Sequence, residues 1–379
     1  MKKIIFFIDH FLPGYKFGGP VKSLSNLINS INRNYSSYVF TKNRDFNESK
    51  PYKNIKFGPI NKNNRVKVYY EPNFSFYRIL KFIYSTKPDF IWLNSYFSIL
   101  SIKVLIISKF ISLNKPIVLS VRGELSQKSL SFKSYKKRLY IGFFGVFLNS
   151  PKIIFHVTSI DEKKCVKDLF PEAEIFQIPN IPNVPKKYNM PLFKKNYLRV
   201  IYLSRITPKK NLLFALKILM NKNINVHKIV FDIYGTIEDP VYFKKCLAVM
   251  KNQPKNIKIK YRGEIKPSNV YTTLINYNCF FLPTYNENYG HSIVEAMQVG
   301  LVPLISDQTP WFFKHRLDGG FSINLNNKDK FIDSINWLGS LTPNEYKKIS
   351  INSMKYISKK NDPSLAIKSY NDFLTKLGN

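Results

Sequence analysis

The sequence predicts an α/β protein of two tandem αβα domains, and three observations carry that prediction. Short apolar, β-branched or aromatic runs alternate with mixed stretches of helix length, as βαβ units require. The runs are nearly continuous in apolar residues, as strands covered on both faces are. The alternation breaks once, at a proline-rich stretch, and then restarts.

Taken in order, the first-half runs are Lys3–Ile8, Tyr38–Thr41, Val66–Tyr70, Phe90–Asn94, Ile117–Val121, Ile153–Thr158 and Ile175–Ile178. Between the fourth and fifth lies the most apolar stretch, Phe97 to Leu113. It carries Lys103 and Lys109 and ends at Asn114-Lys115-Pro116. A bilayer span needs roughly 20 apolar residues, so this stretch reads as a buried or interfacial helix. Pro179, Pro182, Pro185 and Pro191 then break any regular element. The second half resumes with Val200–Leu203, Ile229–Tyr234, Ile257–Tyr261, Phe280–Pro283, Val302–Ser306 and Phe321–Leu325. A polar, amphipathic tail follows, in which Asp362-Pro363-Ser364 opens the last helix. The expected division is a first domain 1–184, a linker 185–197, a second domain 198–358 and a C-terminal helix 359–379. Tandem sheets of this kind place a cleft between them and bind ligands at the carboxyl ends of their strands.

Composition narrows the class. With 379 residues, 44% apolar and 15% aromatic, the chain is no disordered tail, collagen-like repeat or disulfide-stapled miniprotein. Cys165, Cys246 and Cys279 show no paired spacing, which points to a reduced, intracellular protein without a zinc cluster. Ile4 to Ile8 is too short for the core of an export signal. Fifty-nine Lys and Arg against twenty-four Asp and Glu leave +35. Such an excess attracts polyanions, or it reflects a Lys- and Asn-rich genome; charge alone chooses no function.

The strongest chemical signal is the stretch from Pro283 to Met297. A strand runs into a polar loop, Gly290 permits a close backbone approach, and a helix opens near His291. A helix N-terminus at the carboxyl edge of a sheet is a ready anion site. Glu287 precedes this helix and Glu295 lies inside it, so two carboxylates bracket the anion position. That spacing suits hydroxyl-bearing groups on either side of a diphosphate, or else a loop acid and a helix acid in ordinary ion pairs.

The run Glu287-Asn288-Tyr289-Gly290-His291-Ser292 through Glu295 to Ser306 resembles the donor-site signature of family 4 glycosyltransferases of the GT-B fold. Ser204-Arg205-Ile206-Thr207-Pro208-Lys209-Lys210 resembles the Arg and Lys pair that holds the donor diphosphate, and Gly18-Gly19-Pro20 the N-terminal glycine loop. Arg122-Gly123-Glu124-Leu125, Pro179-Asn180 and Asp307 to Trp311 look like segments of bacterial surface-polysaccharide members. Asn211 and Ile181 stand where glycines are common, and Asn288-Tyr289 where an apolar pair is.

The resemblance implies two Rossmann-like domains facing across a cleft, with the C-terminal helix returning to the first. It implies a retaining, metal-independent transfer from a nucleoside-diphosphate sugar, with a UDP-sugar preferred and no cofactor. The chain holds no Asp-x-Asp metal motif. Glu287, Arg205 and Lys210 are carried over as the catalytic set, with Glu287 on donor-sugar hydroxyls and the two cations on the departing diphosphate. Gly19, Asn288, Tyr289, Gly290, His291, Ser292 and Glu295 are carried over to the donor, Glu295 on the ribose hydroxyls. Arg262 and Ile265 mark a base-binding edge acting mainly through backbone groups. Arg122 and Glu124 position acceptor or donor hydroxyls, or simply pair with each other.

The expected acceptor is a lipid-linked, polyprenyl-diphosphate saccharide. Lys128, Lys133, Lys136, Lys137 and Arg138 stand beside Leu139 to Phe144, which suits an anionic membrane surface. That places the protein in the cytoplasm, peripheral on the inner face of the membrane, or else marks a buried helix flanked by solvated lysines. Two other readings compete: a sugar-nucleotide epimerase of similar fold, and a basic nucleic-acid-binding protein. Nucleic acid is not expected as a partner, because paired carboxylates repel phosphodiester backbones.

Overall fold

The computed structural model describes residues 1–53, 55, 58–63, 65–126, 130, 141–142, 153–185 and 188–378. The chain forms two compact units, Met1–Ile181 with Pro363–Asn379, and Pro182–Asp362. The second unit begins at Pro182, so residues 185–197, read as a linker, belong to it. The penultimate helix runs unbroken from Pro343 to Lys360, so the break comes at Asp362-Pro363.

The first unit is built on β1 (Lys2–Phe7), β2 (Tyr35–Lys42), β3 (Gly58–Asn63), β4 (Val66–Glu71), β5 (Phe90–Asn94), β6 (Ile117–Ser120), β7 (Ile153–Val157) and β8 (Glu174–Gln177). Their order in the sheet is β3-β4-β2-β1-β5-β6-β7-β8. All pairs are parallel except β3 with β4. Side chains alternate across a strand. Ile4 and Phe6 therefore enter one apolar layer with Trp92, and Ile5 and Phe7 the other with Ile91 and Leu93. Burial on both faces is why β1 reads as one unbroken apolar run. β3 escapes sequence reading because Gly58–Asn63 is a polar antiparallel edge with no apolar run to mark it.

The terminal helix Pro363–Gly378 joins this unit. Ala366, Tyr370, Phe373 and Leu374 share the layer of Ile4, Phe6 and Trp92. Phe373 stacks on Phe176 at 3.9 Å, and the Tyr370 hydroxyl meets His156 Nε2 at 3.0 Å.

The second unit carries β9 (Tyr197–Leu203), β10 (Lys228–Tyr234), β11 (Ile257–Gly263), β12 (Cys279–Leu282), β13 (Val302–Ser306) and β14 (Phe321–Ile323). The order is β11-β10-β9-β12-β13-β14, all parallel. The chain winds outward from β9 in one direction and then crosses to β12 for the other. The crevice between β9 and β12 is therefore the topological switch point, where such sheets bind ligands. Every run named from the sequence lies within two residues of an observed strand. Among the described residues no helix is long and apolar enough to cross a membrane.

Candidate active site

Two loops leave the switch point of the second unit. The one after β9 passes through Ser204 and Arg205 to a short 3-10 turn, Pro208–Lys210, and then Asn211. The one after β12 runs from Pro283 to Gly290 and enters the helix His291–Gln298. Hydrogen bonds lace them together. Tyr285 N and Thr284 Oγ1 both donate to the Lys209 carbonyl, at 2.9 and 3.1 Å. Glu287 N donates to the Gln308 carbonyl at 2.9 Å, from the loop after β13. Asn211 sits at φ 58°, in the left-handed region. Asparagine tolerates that region better than most residues, so the turn keeps its shape without glycine.

This framework brings Lys210 Nζ onto Glu287 Oε2 in an ion pair that is largely buried. Burial alone would raise the Glu287 carboxyl. Lys210, both as a charge and as a hydrogen-bond donor, outweighs it, and Lys209 and Arg205 add to the pull. The net direction is down, so Glu287 stays ionised at neutral pH. Arg205 Nη1 also binds Glu238 Oε2 at 2.6 Å. Thus Lys210 touches Glu287 and Arg205 stands near enough to act on its charge.

Gly290 has φ 74° and caps the helix without any side-chain hydrogen bond. A Cβ there would lie 2.8 Å from Ile293 Cδ1 and 3.0 Å from Glu287 Cγ. The helix's positive pole therefore lies beside Glu287. The loop is braced from behind. Trp311 Nε1 donates to the Tyr289 carbonyl at 2.6 Å, and Asn361 Nδ2 donates to the Tyr289 hydroxyl at 2.9 Å. Asn288, His291 and Ser292 are partly exposed on this loop and first turn, and the His291 ring lies 4.6 Å from that of Tyr289.

Glu295 is buried further along the helix. It stands close enough to Tyr271 to help raise that hydroxyl, whose main cause is burial. Arg262 spends its guanidinium on Asp232, at 2.8 and 3.3 Å, and Tyr277 donates to the same carboxylate at 2.8 Å. Its fork is occupied, which leaves backbone as the usable edge near Gly263 (φ 81°). Ile265 packs half-buried on the core.

In the first unit, Gly19 is exposed at the start of the helix Gly19–Ser30, after Gly18 at φ 77°. Arg122 donates to Asn94 Oδ1 at 2.6 Å and Asn180 Oδ1 at 3.1 Å, and its Nε is buried without a partner. Glu124 accepts from Ser95 Oγ and Tyr96 N, both at 2.7 Å, and from Phe97 N at 3.1 Å. Arg122 and Glu124 are thus held by separate partners. Burial raises the Glu124 carboxyl against those three hydrogen bonds. Lys128, Lys133, Lys136, Lys137, Arg138 and the adjoining Leu139, Tyr140, Phe143 and Phe144 lie outside the described residues.

Sequence reasoning missed Glu238 as the partner of Arg205, the indole of Trp311 as a brace, and Gly235. At Gly235 a Cβ would come within 1.8 Å of the Ser204 carbonyl oxygen. Its only sequence signal is its place, directly after a strand.

Residues 185–356 match the family model of glycosyl transferases, group 1. The whole chain has the GT-B fold. It superposes on sucrose-phosphate synthase from Thermosynechococcus elongatus with a TM-score of 0.79 at 12% identity, covering 100% of this chain and 99% of that one. Alr3699/HepE of Anabaena, solved in complex with UDP and glucose, gives 0.71 at 15% identity over 99% and 100%. WaaG, a glycosyltransferase involved in lipopolysaccharide biosynthesis, gives 0.69 at 12% over 98% and 99%. No curated protein matches the sequence.

In the second unit, then, two cations and an ionised carboxylate stand on adjacent strand ends, beside the Gly290 helix N-terminus. Preorganised cations and N–H dipoles stabilise negative charge as it grows on a leaving group. A carboxylate held ionised accepts hydrogen bonds from hydroxyls.

Proposed function

We propose that this chain is a retaining glycosyltransferase of family 4. It moves a hexosyl or N-acetylhexosaminyl unit from a nucleoside-diphosphate sugar, preferably a UDP-sugar, to a polyprenyl-diphosphate-linked saccharide. The product belongs to a surface polysaccharide such as O-antigen or capsule, and the enzyme works peripherally on the inner face of the cytoplasmic membrane. The observation that carries this reading is the Lys210–Glu287 pair, with Arg205 near it, beside the Gly290 helix terminus at the switch point.

In this reading Arg205 and Lys210 bind the diphosphate and supply the positive charge that a metal ion supplies elsewhere. Arg205 offers a planar fork to phosphate oxygens, and Lys210 a point charge. Donor binding would loosen the Lys210–Glu287 contact and leave the carboxylate to accept from sugar hydroxyls. Glu295 takes the ribose. The UDP and glucose in the HepE structure and the lipopolysaccharide role of WaaG support the choice of donor and pathway class.

A thermal-shift panel of nucleoside diphosphates and their sugars tests it. A ligand at about 100 times its dissociation constant adds about 2.7 kcal/mol to the native state. At least one diphosphate should raise the melting temperature, and Glu295→Gln should reduce that shift. Transfer should persist in excess EDTA. A panel in which no nucleotide shifts the transition would overturn the assignment.

A further inference from the structure

The strongly apolar helix Ile99–Phe110 buries only one side. Leu100, Val104, Leu105 and Ile107 pack on the sheet. The other side carries Ile99, 66% exposed, and Phe110, 81% exposed, with half-buried Ile102 and Ile106 between them. Residues 99, 102, 106 and 110 follow helical spacing and form one outward ridge. Beside it runs the helix Phe76–Thr86, which buries Ile79, Phe82 and Ile83 and turns Tyr77 and Tyr84 outward, 72% and 62% exposed. Lys103 stitches the two helices: its ammonium donates to the Phe74 carbonyl at 2.6 Å and lies 5.3 Å from the Phe76 ring centre.

The rim of this surface is cationic. Arg78, Lys81, Lys103 and Lys109 belong to the two helices, which contain no Asp or Glu. Of the acids that flank them in sequence, Glu71 is paired with Arg78 and Asp89 accepts from Lys3 N at 2.8 Å. An exposed apolar ridge of this length on a water-soluble face marks an interaction site. A second copy of this chain would bring the same cations against these, on a molecule already at +35. An anionic lipid surface instead neutralises them, while the isoleucines and phenylalanine enter the acyl boundary and the tyrosines stay at headgroup level.

We propose that the outer face of the helices Phe76–Thr86 and Ile99–Phe110 is the surface by which this protein docks on anionic membrane. This deepens the peripheral-membrane part of the function proposed above and rests on it. It locates the contact on a segment other than residues 128–144.

The test is flotation of the full chain with vesicles of phosphatidylcholine alone or of phosphatidylcholine with phosphatidylglycerol. The wild-type chain should float with the anionic vesicles at least tenfold better than with the neutral ones. The triple variant Tyr77→Ser, Ile99→Ser, Phe110→Ser should lose that binding at least tenfold, as should Lys81→Glu with Lys109→Glu. All these side chains are exposed, so both variants should keep the wild-type melting temperature and its nucleotide-induced shift. The nucleotide readout separates failure of this proposal from failure of the enzymatic one. Equal flotation of variant and wild type would overturn the proposal, as would equal binding to both vesicle types. So would a dimer that the triple variant converts to monomer, because a second copy would then cover the face.

Discussion

Lys210 and Glu287 stabilise each other's charge where neither is well hydrated, and this sets what their removal should do. Lys210→Ala leaves a buried carboxylate short of its main partner, a loss of about 1–3 kcal/mol. In the proposed reaction it also removes a donor to the leaving phosphate, for which a drop of about 100- to 1000-fold in turnover is expected. Denaturant titration and steady-state rates check the two effects separately.

Acid should expose two residue-scale effects. Glu287 has a folded pKa below its ordinary 4.5. Its contribution is present above that value and is lost as pH falls through the lowered one. His156 is sealed between Ser120 Oγ, at 2.9 Å, and Tyr370. Burial first, and then the Arg122 charge, push its folded pKa down to about 3 from 6.5. Between those values the unfolded chain holds a proton that the native chain refuses, so stability falls as pH drops, by about 1.4 kcal/mol per unit. Unfolding curves of His156→Asn should lack this slope. A slope equal to wild type would show that His156 is protonated in the native state.

At the scale of elements, the site depends on backbone conformations that side chains merely permit. Asn211 holds a left-handed φ, and its Nδ2 is buried without a partner. Asn211→Gly relieves both costs, and its melting temperature should stay at or above wild type. Asn211→Ala keeps the strain and should lose about 1 kcal/mol of stability. Trp311→Phe removes the donor to the Tyr289 carbonyl together with part of the buried indole volume. The expected result is weaker nucleotide-sugar affinity, seen as a raised KM, with stability lowered by about 1–3 kcal/mol. An unchanged KM would show that the Gly290 turn holds its shape unaided.

At the scale of the whole molecule, the final helix completes a unit whose other strands lie at the far end of the sequence. Removing residues 363–379 would strip Tyr370, Phe373 and Leu374 from the layer around Phe6 and Trp92. Calorimetry should then show the transition of Met1–Ile181 lost or lowered by 10 °C or more, with that of Pro182–Asp362 kept. The strands of both sheets were legible in the sequence because burial on both faces writes an unbroken apolar run. β3 was not, because an edge strand has no such need. Of the candidate site, the loops carrying Lys210, Glu287 and Gly290 stand out in the sequence, because glycine and charge follow directly on apolar runs.

By itself the sequence determined two largely parallel sheets, every strand but β3, and the glycine- and charge-bearing loops that follow β9 and β12. Local patterns suffice there, since period and punctuation act over a few residues. Only the tertiary structure decided that Glu238 holds Arg205, that Asp232 occupies Arg262, and that Arg122 and Glu124 go to different partners. Those choices join positions tens of residues apart, and no local pattern records which strand end will stand beside which.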